Sequence, residues 1–312
     1  MSEVLGKEVD YMSKEYEVTI NVLCYEPIYD KLIETIESIL IQEDVNLQIV
    51  ISDDGSSNNH FEELEQYFYE KKFFDYKLCA ARQNIGTVKN LLNSIRNSDG
   101  KYLKCISPGD QLYGEKALRK WLDYIVSSQN RWSFCDIVCY HKGETGEIVD
   151  RVRRRPTYLM PYIKKNDLLS RINYLIFSDN ANGASILGEK ELFLEYMQEI
   201  DGIIKYSEDM IWRICMYDDV IPLYFDEVLV KYEWGTGVST SRKKKWHKII
   251  SEEWKACSKI ILHRQSKNWV QRILKCGIIL ENTFFMKIVK FIRKKYLKAI
   301  YLEQLYTVKE FP

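Results

Sequence analysis

Glycine is missing from the first turn, where a dinucleotide-binding chain needs it most. The first apolar run, residues 18–24, passes straight into Cys24-Tyr25-Glu26-Pro27. A nicotinamide site places glycines at that turn so that backbone amides can reach the pyrophosphate, so this reading is weak here. A nucleotidyltransferase would need a Gly-rich loop bearing Lys or Arg at the same place, and that is missing too. Histidine is scarce: His60, His141, His247 and His263 are isolated and lack metal-site spacing. The eight cysteines include no Cys-x-x-Cys pair and are expected to be reduced thiols in a cytosolic protein. No apolar stretch approaches the ~20 residues that a membrane span requires. Residues 1–16 are charged and carry no apolar core, so no secretory signal is expected.

What is present suits a soluble globular protein. In 312 residues, 46% hydrophobic and 29% charged, there is enough apolar material for one large domain or a domain with an appendage. The zero net charge conceals an imbalance. From Thr240 onward there are 18 Lys or Arg against 5 Asp or Glu, while the preceding residues carry 27 basic and 40 acidic groups. Opposite blocks of this size point to regions with different partners, the basic one suited to an anionic surface. Nucleic acid is not expected as a partner, because no recognition module accompanies the charge.

Along the chain, apolar runs and helical spacing alternate. Strands are expected at residues 18–24, 47–52, 76–80, 101–106 and 136–140, with helices at 31–42, 61–70, 87–97 and 115–128. That order predicts an α/β fold, a doubly wound, mostly parallel sheet covered by helices. Residues 151–156 read as a basic loop and 166–177 as a helix. A short strand follows at 183–187, then helices at 190–198 and 208–217, the latter with Ser207 as N-cap. A late strand at 223–232 ends in an exposed loop beginning Trp234-Gly235-Thr236-Gly237. The expected division is an N-terminal extension (1–16), an α/β domain (17–240) and a basic helical C-terminal region (241–312).

Within that last region, Phe285, Ile288, Val289, Ile292, Tyr296, Ala299 and Ile300 share one helical face, and Lys287, Lys290, Lys294 and Lys298 the opposite one. Such a helix either lies in a membrane interface or packs its apolar face on its own domain.

Asp53 and Asp54 mark the candidate site. They end a buried strand at its C-terminal mouth, where ligands of open α/β sheets bind. Gly55-Ser56-Ser57 follows at once, so an ordinary Asp-Gly turn is the alternative. Other short motifs stand in order along the chain: Cys24-Tyr25-Glu26, Asn84-Ile85-Gly86, and Ser207-Glu208-Asp209. Together these resemble the inverting family-2 glycosyltransferases of GT-A fold. They stand where that family has its Pro-Thr-Tyr-Asn-like turn, its Val-Asp-Asp-Gly-Ser motif, its Asn-x-Gly and its Glu-Asp. The resemblance covers residues 18 to about 241 and implies a GT-A mixed sheet with a helical C-terminal extension.

By that resemblance Asp53 holds the nucleoside of a nucleotide-diphosphate sugar, with a UDP-sugar as first expectation. Tyr25 packs on the base or is simply a lining aromatic, and Glu26 belongs to the same turn. Asp54 either contacts the nucleoside or fixes the turn. Asn84 and Gly86 bring backbone close to the donor, although Asn84 could equally cap the helix. Lys89 meets phosphate or is a solvated surface charge.

Where the family has an Asp-x-Asp motif holding Mg²⁺ or Mn²⁺, this chain has Ser107-Pro108-Gly109-Asp110. Asp110 is the one carboxylate left for the metal. Asp209 is the expected base that takes the acceptor's proton. Glu208 would position the acceptor, and so would Gly183, Ala184, Ser185 and Trp234. Trp212 and Arg213 either reach the cleft or pack. The implied activity is inverting sugar transfer to a saccharide or lipid-linked acceptor in bacterial surface polysaccharide or glycoconjugate synthesis. The basic tail would hold the enzyme at the inner face of the membrane. The rival of a different class is a non-catalytic relative that binds nucleotide sugars or a partner enzyme.

Overall fold

The computed structural model describes residues 15–141, 151–153, 156–235, 244–281 and 283–305. The chain opens with β1 (Val18–Cys24), α1 (Tyr29–Leu40), β2 (Leu47–Asp53), α2 (Phe61–Glu70), β3 (Tyr76–Ala80), α3 (Thr87–Asn97) and β4 (Tyr102–Ile106). It continues through β5 (Gln111–Leu112), α4 (Ala117–Ser127), β6 (Trp132–Tyr140), β7 (Arg151–Arg153), α5 (Met160–Ile163) and α6 (Asp167–Leu175). A 3-10 turn at Gly183–Ser185 leads into β8 (Ile186–Glu189) and α7 (Lys190–Ile200). A second 3-10 turn at Glu208–Met210 leads into α8 (Ile211–Tyr217) and β9 (Leu223–Glu233). Helices α9 (Lys244–His263), α10 (Trp269–Leu280) and α11 (Phe284–Leu305) follow.

The strands form one mixed sheet in the order β3-β2-β1-β4-β8-β6-β9-β5, with β7 beside β6. Strands β3, β2, β1 and β4 are parallel. Strand β8 runs antiparallel to both β4 and β6. The central strands are buried on both faces, which is why they read as unbroken apolar runs rather than alternating ones. Because β1, β2 and β4 share a direction and their ends are in register, Cys24 beside Asp53 and Val22 beside Ile106, the motif loops leave the sheet at one edge.

Two apolar clusters cover the two faces. One is built with α1, α2 and α4, the other with α3 and α6 to α10. Polar side chains pin α3 to the sheet: Ser52 Oγ donates to Asn90 Oδ1 at 2.7 Å, and Asn21 Nδ2 to Ser98 Oγ at 2.8 Å.

Several local expectations need correction. Ser207 makes no N-cap hydrogen bond, and the expected helix from residue 208 begins as a 3-10 turn. The first residues expected as strand at 183 form the other 3-10 turn instead. The basic segment read as a loop contains β7, because Arg151–Arg153 can pair with the edge of β6. The loop expected at residues 236 and 237, and the boundary near residue 240, lie outside the described residues. The boundary's far side does not stand apart, however: Cys257, Ile261, Leu274 and Ile278 are buried in the same cluster as Trp132 and Phe134.

Candidate active site

The carboxylates at the end of β2 are already engaged. Asp53 is buried; its Oδ2 accepts from the N–H of Gly55 (3.0 Å) and Ser56 (2.8 Å), and its Oδ1 from the Ser56 hydroxyl. Asp54 Oδ1 accepts from the N–H of Ile85 (2.7 Å) and Gly86 (3.1 Å). Burial raises the Asp54 carboxyl above its ordinary range, against those bonds and the Lys205 charge. Glu26 closes the neighbouring turn, accepting from Ser57 N–H (2.9 Å) and hydroxyl (2.8 Å). Tyr25 stands beside it with 56% of its surface exposed, an uncovered aromatic face just past the end of β1.

Asp54 thus builds the loop at residues 84–86. Gly86 sits at φ +93°, where a Cβ would lie 2.7 Å from the carbonyl oxygen of Lys205, so glycine is required by both backbone angle and space. Gly86 is also the residue that leads into α3, and no side chain caps that helix. Asn84 is therefore not a helix cap. Lys89 is exposed on α3.

A cavity of about 330 Å³ reaches these turns through Leu23 of β1 and Thr87 at the start of α3. Its lining includes Asp110, Gly183, Ala184, Glu208, Asp209 and Trp212. The structure therefore joins the motif after β4 with the two 3-10 turns that lie far along the chain. Thr35 of α1 holds the turn at residues 107–110, accepting from Gly109 N–H (2.9 Å) and donating to the Asp110 carbonyl (2.8 Å). Asp110 Oδ1 accepts from the N–H of Glu233 at 2.8 Å. Buried Lys104 donates to the carbonyls of Cys105 (2.7 Å) and Ala184 (2.6 Å), tying the end of β4 to the turn at Gly183–Ser185. A Cβ on Gly183 would meet Asp209 Cβ at 3.7 Å, so that turn lies against the acid. Ser185 is buried under the turn and donates to the Asn182 carbonyl (2.7 Å). Trp234, partly exposed, follows the residue that holds Asp110.

Three acids on one cavity are costly without a cation. Burial pushes the Asp110 carboxyl up to about 7, against the Glu233 N–H and the Lys104 charge. Burial also raises Glu208, and the adjacent Asp209 charge adds to it. Asp209 is raised by burial and by Glu253, with Arg213 opposing. Both acids line the cavity.

Among the described residues, no three His, Cys, Asp or Glu side chains form a metal-binding group. The donor set still fits Mg²⁺ or Mn²⁺ that takes one carboxylate, Asp110, with diphosphate oxygens and water supplying the rest.

Residues 19–182 match the model of glycosyl transferase family 2. The chain belongs to this family. It is similar in structure to S. aureus TarS 1–349 in complex with UDP-GlcNAc, at 13% identity and a TM-score of 0.61, over 85% of this chain and 72% of that one. The same protein in complex with UDP matches at 12% identity and a TM-score of 0.57, over 84% and 70%. The mannosyltransferase PcManGT from Pyrobaculum calidifontis, in complex with GDP-Man and Mn²⁺, matches at 11% identity and a TM-score of 0.52, over 95% and 89%. At these identities the likeness is one of fold. No curated protein matches the chain in sequence.

In this family-2 chain one residue beside the site went unread in the sequence. Glu253 of α9 is buried and accepts from the N–H of Lys205 (2.9 Å), Tyr206 (3.0 Å) and Ser207 (2.9 Å) and from the Ser207 hydroxyl (2.6 Å). This is why Ser207 does not cap its own turn. The available signal was compositional, since Glu253 is one of only five acids in the basic region. Arg213 does not reach the cavity; it is buried, stacks 3.6 Å from the Trp254 ring centroid and pairs with Glu281 at 3.3 Å.

Proposed function

We propose that this glycosyltransferase moves a sugar from a nucleoside-diphosphate donor to an acceptor hydroxyl with inversion at the anomeric carbon. Asp53 and Tyr25 hold the nucleoside, in a mouth whose backbone is shaped by Glu26, Asp54, Asn84 and Gly86. Lys89, exposed on α3, would meet the charge of the phosphates. Asp110 is the protein ligand of Mg²⁺ or Mn²⁺, and the bound dication would offset charge on the departing diphosphate.

Asp209 is the base. As the acceptor oxygen bonds to the anomeric carbon, the bond from that carbon to the diphosphate oxygen breaks. The diphosphate leaves with the electron pair, and the acceptor proton passes to the Asp209 carboxylate. A carboxylate raised by burial holds a transferred proton better near neutral pH than an exposed one would. Glu208, Gly183, Ala184 and Ser185 form the acceptor side, with Trp234 at its edge. The acceptor is a saccharide or a lipid-linked glycan at the inner membrane face, in bacterial surface polysaccharide or glycoconjugate synthesis.

The observation that carries this reading is the convergence of Asp110 and Asp209 on one cavity beside the turn that Asp54 builds. Asp209→Asn should reduce transfer by about 10³-fold or more while nucleotide affinity stays within about twofold. Equal turnover in the variant would remove Asp209 as base. A melting-temperature screen of UDP, GDP and their sugars, with and without Mn²⁺, identifies the donor, because a ligand of the native state raises the transition by mass action. Silence across the whole screen would favour a non-catalytic relative.

A further inference from the structure

Helix α11 presents its apolar side outward. Phe284 (79% exposed), Phe285 (71%), Ile288, Phe291, Ile292 (60%) and Tyr296 lie on one arc of the helix. The opposite arc does the docking. Lys290 Nζ donates to Ser178 Oγ at 3.0 Å, Arg293 pairs with Asp179 at 3.4 Å and stands over the Phe177 ring, and Leu297 is buried. This inverts the usual surface helix, which buries its apolar stripe. Of the two arrangements the sequence left open, the one with the apolar face packed on the domain does not occur for residues 284–296.

Helix α10 likewise leaves Trp269 (62% exposed), Ile273 and Leu280 uncovered. A patch of this extent marks a contact surface rather than ordinary exposure. Its charge is of one sign. Residues 284–297 contain no Asp or Glu, and exposed Lys287 and Lys294 border the apolar arc, while Lys295 lies 4.8 Å from the Phe291 ring centroid. Two copies of this face would bring lysines together with no acid between them. Among the described residues no helix is long and apolar enough to cross a membrane. Apolar rings flanked by cations fit a layer of apolar chains topped by anionic headgroups.

We propose that α10 and α11 form an interfacial docking surface for an anionic lipid bilayer, lying in its plane rather than across it. The surface is fastened to the catalytic end of the fold. Glu281, between the two helices, is buried and accepts from Trp254 Nε1 (2.9 Å), Ser258 Oγ (3.1 Å) and Arg213 Nη2 (3.3 Å). Arg213 lies on α8, which follows the turn bearing Asp209. Docking would therefore fix how the cavity faces the bilayer. The proposal deepens the lipid-linked reading of the acceptor and rests on it only for its purpose, since binding to vesicles needs no transfer.

The full chain is sedimented with phosphatidylcholine vesicles that contain or lack phosphatidylglycerol. Wild type should bind the anionic vesicles and release as salt rises. Combined Phe285→Ser, Ile288→Ser and Ile292→Ser should weaken binding by about tenfold or more, with melting temperature and nucleotide affinity unchanged. Lys287→Glu with Lys294→Glu should abolish the preference for anionic lipid. Failure of wild type to bind, or undiminished binding by the triple variant, overturns the surface. So does light scattering that shows a dimer which the triple variant dissociates, because the occupant is then a second copy. Asp209→Asn should bind vesicles as wild type does. A protein that binds vesicles yet transfers no sugar to any acceptor counts against the transferase reading and leaves the surface standing.

Discussion

At the scale of single residues, the site keeps charges where water would hold them better. Asp110 is buried, Glu208 and Asp209 are half-buried, and all three line one cavity and are raised above the ordinary carboxylate range. The folded chain therefore retains protons that the unfolded chain has already released. Where the native state binds more protons, stability falls as pH rises. For Asp110 that window runs from the ordinary carboxylate value to about 7. Thermal melts of the metal-free protein should show a melting temperature that declines from about pH 4 to about pH 7 through these groups. Asp209→Asn removes one of them along with its repulsion of Glu208, so its decline should be shallower. Parallel curves for wild type and variant would show that the acid does not titrate in this way. The motifs made these acids legible in the sequence as chemistry. Their engagement was not legible: that Asp54 is taken up by the N–H groups of Ile85 and Gly86 depends on a fold contact between residues 31 positions apart.

At the scale of elements, strands and long helices were readable because their periods are local, as β1, α2, β3 and α3 show with the boundaries expected. Two-residue β5 and three-residue β7 carry too little pattern to be seen, and each exists only because a neighbouring strand offers it hydrogen bonds. The 3-10 turn at Glu208–Met210 escaped for a related reason. Its approach is set by α9, whose Glu253 gathers three N–H groups and the Ser207 hydroxyl. Glu253→Gln keeps the volume but turns one acceptor into a donor facing N–H groups. Stability should drop by about 1–3 kcal/mol, and kcat by about 10- to 100-fold through misplacement of Asp209. The KM for the donor should hardly change, since its mouth is formed elsewhere. Steady-state kinetics decide the matter: a rise in donor KM with kcat intact would mean that Glu253 acts on the nucleoside side instead.

At the scale of the whole molecule, the match to glycosyl transferase family 2 ends at residue 182, yet the core does not. Helices α9 and α10 bury Cys257, Ile261, Leu274 and Ile278 in one cluster with residues of α6 and α8. Each fully buried aliphatic side chain is worth about 1.5–3 kcal/mol, and an entire domain has only about 5–15 kcal/mol of stability. A chain ended after residue 240 should therefore fail to fold to a soluble, cooperatively melting protein. A sharp thermal transition in that fragment, near the temperature of the full chain, would contradict the shared core. The charge blocks foretold that the two ends differ. They did not foretell that Glu253 and Glu281, two of the few acids in the basic block, are buried and bonded to the rest of the fold.

The turn that Asp54 builds has a thermodynamic consequence. With both its carboxylate oxygens engaged, and Gly86 wedged against Lys205, the loop at residues 84–86 is ordered before any donor arrives. A nucleotide would then bind by docking rather than by folding a loop around itself, so little of its affinity is lost to ordering. Calorimetry should accordingly return a small negative heat-capacity change, the size of the buried base and ribose alone, and not the larger value of coupled folding.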